Sequence, residues 1–134
     1  MIYLDKFNET FKEFIDDLIL EYPDDPDFGI YKLGTYTALM NDECFIINMF
    51  NYYVTSIYGD KILNKDEEFF LDHQMTNNCV DNNAMNIIHK IQIYWVEMSD
   101  DVKNTIWKYF RVLILLDRKY RASIENQNWI YLMI

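Results

Sequence analysis

Only three glycines and two prolines punctuate the 134 residues of this chain. These are the residues that most often break regular structure, so a chain this poor in them has few places to turn. Both prolines fall in one short stretch, YPDDPDF at residues 22–28. Long helices with few turns are expected, rather than many short strands.

The apolar spacing agrees. Leu4, Phe7, Phe11, Phe14, Ile15, Leu18, Ile19 and Tyr22 recur at three- and four-residue steps, the stripe of an amphipathic helix. Pro23 and Pro26 end it, because proline removes a backbone donor and restricts the residue before it. Asp27 is placed to cap a second helix to about Met40, with Phe28, Tyr31, Tyr36 and Leu39 inward and Gly34 as a weak point. NDE at residues 41–43 reads as a turn and a fresh cap. A third helix then carries Phe45, Ile46, Met49, Phe50, Tyr53, Val54 and Ile57, and Gly59 is expected to end it.

After an Asn-rich loop, HQMTNNCVDNN, Asp81 or a following asparagine opens a fourth helix. Its buried side takes Ala84, Ile87, Ile88, Ile91, Tyr94, Trp95 and Met98. Ser99 and Asp100 cap a fifth, which runs through Val102, Ile106, Tyr109, Phe110, Leu113 and Ile114 to about Arg121. The remaining NWIYLMI is apolar and β-permissive. The expected fold is all-α: one compact bundle of five to six helices over residues 1–134, with an apolar C-terminal tail at about residues 123–134.

The stretch ILNKDEEFFLD, residues 62–72, gathers carboxylates around two phenylalanines. Consecutive residues on a helix point in different directions, so these acids do not make a catalytic pair. Asn64 with Glu67 has the form of a capping box, and Asp66, Glu67 and Glu68 suit the first turn of a helix. Phe69, Phe70 and Leu71 are then expected to anchor that helix to the core.

The formal net charge is -10, with a sequence pI near 4.5. A phosphate backbone is repelled by that field, so direct nucleic-acid binding is not expected. The densest basic group is RKYR at residues 118–121, with Lys108 and Arg111 upstream. Near a helix C-terminus such cations are favoured by the dipole; the other reading is a small-anion or partner site. Aromatic residues make up 17% of the chain, enough for a ring-rich core. The use of Ile, Asn, Lys, Tyr and Phe, with little Ala, also matches an A+T-rich genome.

Cys44 and Cys79 are too few for a disulfide scaffold. With His73 and His89 they offer four zinc ligands, but no CxxC or HxxxH spacing prearranges a tetrahedral site. DDPDFG at residues 24–29 lacks the alternating oxygen ligands and terminal Glu of a calcium loop. No Gly-rich phosphate loop and no GxSxG elbow occurs. No catalytic, cofactor-binding or metal-ligating residue is assigned. The charged N-terminus lacks a signal-peptide core, and no apolar run is long enough to span a membrane. An intracellular, reducing setting without membrane contact is the expectation.

FKEFIDDLILEYPDDPDF, then YGDKILNKDEEFFLD, then IIHKIQIYWVEMSDDVKNTIWKYFRVLILLDRKY follow one another in the chain. Their order resembles a family of small helical proteins encoded by large DNA viruses, especially those of algae. The resemblance covers roughly residues 7–120 and implies a viral product made in the host cell, in its cytoplasm or in the virion. It brings no activity or cofactor. The expected function is a non-enzymatic interaction protein or virion component. It would bind a viral or host protein, or a second copy, through Trp129, Ile130, Tyr131, Leu132, Met133 and Ile134. The alternatives are a Cys/His enzyme or metal protein, and an acidic mimic of nucleic acid.

Overall fold

The computed structural model describes residues 1–71 and 83–133, with side chains there except at 69, 83, 84 and 127–133. Helix α1 is Ile2–Glu21 and α2 is Asp27–Asn41. Next come α3, Phe45–Phe50, a π-helical turn, Asn51–Thr55, and α4, Ser56–Leu63, which run on as one unbroken helix. Helix α5 is the single turn Glu68–Leu71. Helix α6, Asn83–Tyr94, ends in a 3-10 turn, Trp95–Glu97, and α7 spans Asp100–Met133. Among the described residues there is no strand, and no helix is long and apolar enough to cross a membrane. The all-α bundle expected from the spacing is the fold found, with five long helices and one short one among the described residues.

The stripe on α1 buries Leu4, Phe7, Phe11, Phe14, Ile15 and Leu18. It lies antiparallel to α7. Phe14 meets Phe110 edge-on at 5.7 Å, while Tyr3, a few turns back, lies under the Lys119 ammonium at 5.8 Å. On the other side α2 packs on α6, with Tyr22 stacked on Tyr94 at 4.5 Å and Phe28 beside both. A third cluster centres on Phe70, which stacks on Trp95 at 4.0 Å and meets Trp107 and Phe110 edge-on. Rings of this kind each bury on the order of 150–250 Å² and prefer these offset and edge geometries.

Several local expectations are corrected. Asn64 does not cap α5; it ends α4, and Lys65 takes a left-handed φ of 55°. The amide of Asp66 reaches Lys61 O and that of Lys65 reaches Ile62 O, the paired bonds of a Schellman closure. The α5 cap is Asp66, whose carboxylate accepts the Glu68 amide at 3.1 Å. Phe70 is buried as expected, but Leu71 is exposed, and Phe69 lies outside the described side chains. Similarly, Asp25 rather than Asp27 caps α2, accepting the Asp27 amide at 3.0 Å.

Gly59 sits inside α4 instead of ending a helix, and Ile57 is exposed. The π turn accounts for the exposure of Ile57. It takes up more residues than an α turn, so the buried face advances from Phe50 to Val54 and Thr55 and then to Gly59 and Ile62. Ser99 caps α7 as expected, through its hydroxyl and the Val102 amide. Helix α7 does not stop near Arg121, however; it continues to Met133. Asp81 and the Asn-rich loop lie outside the described residues, and Ala84 outside the described side chains.

Candidate functional site

The buried stripe of α7, Ile106, Phe110, Leu113 and Ile114, brings Asp117 onto the same face at the next helical step. Asp117 is fully buried, and a carboxylate there must be paired. Asn51 Nδ2 donates to its Oδ2 at 3.0 Å, and Arg121 Nε donates to its Oδ1 at 3.2 Å. The same guanidinium donates through Nη2 to Asn48 Oδ1 at 2.7 Å and to Ile47 O at 3.3 Å. It also lies 5.3 Å from the ring centre of Tyr120. One arginine thus ties α7 to a side chain and a carbonyl of α3, and to the carboxylate that the π turn also holds.

Tyr120 extends this seam. Its hydroxyl and the Cys44 thiol are 3.5 Å apart. That bond, followed by burial, pushes the Tyr120 hydroxyl up to about 12. On the outer side, Arg118 Nη2 meets Asp60 Oδ1 at 2.9 Å. A Cβ on Gly59 would stand 2.6 Å from that nitrogen, so the glycine leaves room for the arginine. The RKYR group is therefore not a helix end favoured by a dipole. It lies within α7, where two of its members clamp α7 to the α3–α4 helix.

Beyond this clamp the described side chains of α7 become steadily less buried, with Ile124 still packed on the core. Tyr120 is buried, Ser123 and Ile124 are half-buried, and Glu125 and Asn126 are exposed. The backbone stays helical to Met133, twelve residues past Arg121 and so about 18 Å along the axis. The tail expected as β-permissive is, up to Met133, the end of this helix. The side chains of Trp129, Ile130, Tyr131, Leu132 and Met133 lie outside the described ones, and Ile134 outside the described residues.

The other chemical candidates separate. Cys44 sits at the start of α3 against Tyr120, and His89 is half-buried on α6; His73 and Cys79 lie outside the described residues. Among the described residues no three His, Cys, Asp or Glu side chains group as metal ligands. In the turn at residues 24–29, Asp25 and Asp27 each meet Lys90 Nζ at 2.9 Å, and the Tyr94 hydroxyl donates to Asp25. The tyrosine bond is the main reason the Asp25 carboxyl lies below its ordinary range, and the two carboxylates raise Lys90 above its own. This knot fastens the α1–α2 turn to α6.

Sequence reasoning missed Asp117, Asn51 and the π turn. Asp117 had a readable signal, a carboxylate in register with Phe110, Leu113 and Ile114. Asn51 had none, since nothing in NYYVT marks a π turn. Comparison of the chain with protein-family models, curated proteins and solved structures finds no match.

Proposed function

We propose that this chain is a non-enzymatic interaction protein whose contact element is the helical arm of α7 beyond Arg121. The observation that carries this reading is the clamp at Asp117 and Arg121. It fixes α7 to the body, and past it the described side chains go from half-buried at Ser123 and Ile124 to exposed at Glu125 and Asn126, while the helix itself continues to Met133. An arm already folded as helix loses less conformational freedom on binding than a disordered tail does. The apolar sequence of Trp129, Ile130, Tyr131, Leu132, Met133 and Ile134 is what the arm would bury, in a groove of a second copy or of another protein. Ile30, Leu33 and Met40, exposed along one side of α2, add a second apolar surface in support.

The acidic surface favours a basic partner and speeds encounter at low salt. The resemblance of its motif order to proteins of large DNA viruses is the ground for reading it as a viral product acting in the host cytoplasm or as a capsid-associated component. The test is light-scattering mass of the full chain beside a version ending at Asn126. A full-length oligomer that becomes a folded monomer on truncation is expected if a second copy is the partner. If both are monomers, and both capture the same proteins from infected cells, the arm is not the contact element and the reading fails.

A further inference from the structure

On α7, Asn104, Lys108 and Arg111 are spaced four and three residues apart, so they share one exposed face. That face borders a groove of about 480 Å³. Lys65, from the α4–α5 closure, lines it from the opposite side. Ile62, Leu63 and Trp107 form its apolar wall, and no carboxylate among the described residues lines it. The acids nearest in sequence to Lys65 are engaged elsewhere. Glu67 faces Lys103 at 4.0 Å, Glu68 faces Lys61 at 3.5 Å, and Asp66 caps α5.

Two features of this groove oppose stability. Lys65 is the one non-glycine residue with positive φ among the described residues, in a closure where glycine is the usual occupant. Lys108 and Arg111, three residues apart on one helix, repel each other, and neither has an acid at the neighbouring helical positions. In a chain with 22 acidic and 12 basic residues, three cations around one groove without an ion pair among the described residues are not a by-product of composition. Backbone strain tends to be kept where it places a functional group.

We propose that this groove binds a small molecule carrying two or more linked phosphates. A single phosphate group brings roughly two negative charges, which leaves one of three cations unmatched; a diphosphate comes closer to balance. Arg111 offers a planar fork to phosphate oxygens, the two lysines act as point charges, and the Asn104 amide adds a neutral donor. The apolar wall receives the remainder of the ligand, and the groove has the volume of a small-molecule site. The net charge of -10 does not forbid this. At physiological salt the screening length is about 8 Å, which limits the reach of carboxylates on distant helices, while Asp66, Glu67 and Glu68 beside Lys65 are held in their own cap and ion pairs.

The experiment is calorimetric titration of the full chain with pyrophosphate, with ATP and with inorganic phosphate. Saturable binding is expected for pyrophosphate and ATP, and weaker binding for inorganic phosphate. Lys108→Gln combined with Arg111→Gln is expected to weaken pyrophosphate about tenfold or more, because charge-assisted hydrogen bonds are lost. Both residues are exposed and form no ion pair among the described residues, so the fold is retained, which circular dichroism checks. Lys65→Gly gives the same weakening from the other side of the groove. Lys119→Gln is the control, since Lys119 lies over Tyr3 and outside the groove. The proposal is overturned if neither polyphosphate binds saturably, if binding survives the paired substitution, or if Lys119→Gln weakens it equally.

Discussion

Asn51, the first residue of the π turn, donates a hydrogen bond at 3.0 Å to the buried carboxylate of Asp117 on α7. Asp117 is also the partner of Arg121, whose side chain is one-third exposed. Breaking a buried ion pair on one side costs on the order of 3–5 kcal/mol, and partial exposure of Arg121 places Asp117→Ala near the low end, about 3 kcal/mol. Asn51→Ala removes one bond to a charged group and should cost about 1.5–2 kcal/mol. Urea unfolding of the two single variants and the double gives the coupling. An Asp117→Ala loss below about 1 kcal/mol would falsify the clamp, since a true buried pair cannot be that cheap to break.

Phe70→Ala opens the aromatic cluster from its centre. Phe70 is fully buried and touches Trp95, Trp107 and Phe110. Removing a core ring costs about 3–5 kcal/mol, which for a domain of this size lowers Tm by roughly 10 °C or more. Tryptophan emission should also shift to the red, because water reaches Trp95 where the ring stood. An unchanged melting curve and spectrum would mean that α5 is not anchored through this residue.

The bundle was legible where one pattern governed. The α1 stripe from Leu4 to Leu18 and the α7 stripe from Ile106 to Ile114 face the core as their spacing predicts. Legibility failed where a local closure had competing solutions. Asn64 and Asp66 are both cap formers two residues apart, and the Schellman closure at Lys65 gave the second one the cap. It also failed at the π turn, whose extra residues rotate everything after Thr55 and expose Ile57. The arm of α7 was misread because β-branched and aromatic residues lower helix propensity only slightly. A helix already nucleated and clamped by Arg121 can extend through them.

Acid should loosen the α1–α2 turn. The Asp25 side chain is 9% exposed and bonded to Tyr94 and Lys90, and its carboxyl lies below the ordinary range, chiefly through the tyrosine bond. Because the folded value lies below the unfolded one, this contribution is complete above about pH 4 and is lost as pH falls through the folded value. Asp25→Asn should therefore flatten the acid limb of stability against pH, leaving neutral-to-acid melting points closer together than in the parent chain. Parallel acid limbs for parent and variant would show that other carboxylates govern the loss. Lys90 behaves oppositely: its raised value makes its contribution intact below about pH 10 and lost above that.

Lys65→Gly separates stability from the groove. A left-handed non-glycine residue carries about 1–2 kcal/mol of steric cost, which glycine relieves. Glycine also gives the unfolded chain more freedom, which takes back about 0.4–1 kcal/mol. Lys65 is exposed and forms no ion pair among the described residues, so nothing else offsets the gain. A net stabilisation of about 0.5–1 kcal/mol is expected in urea unfolding. If the groove binds linked phosphates, the same variant loses pyrophosphate affinity while it gains stability. Lys65→Asn should behave likewise with a smaller gain, because asparagine tolerates the left-handed region without supplying a charge. A gain in stability with pyrophosphate affinity intact would assign Lys65 to the turn alone. A loss of stability would mean that the lysine side chain makes a contact outweighing its backbone strain.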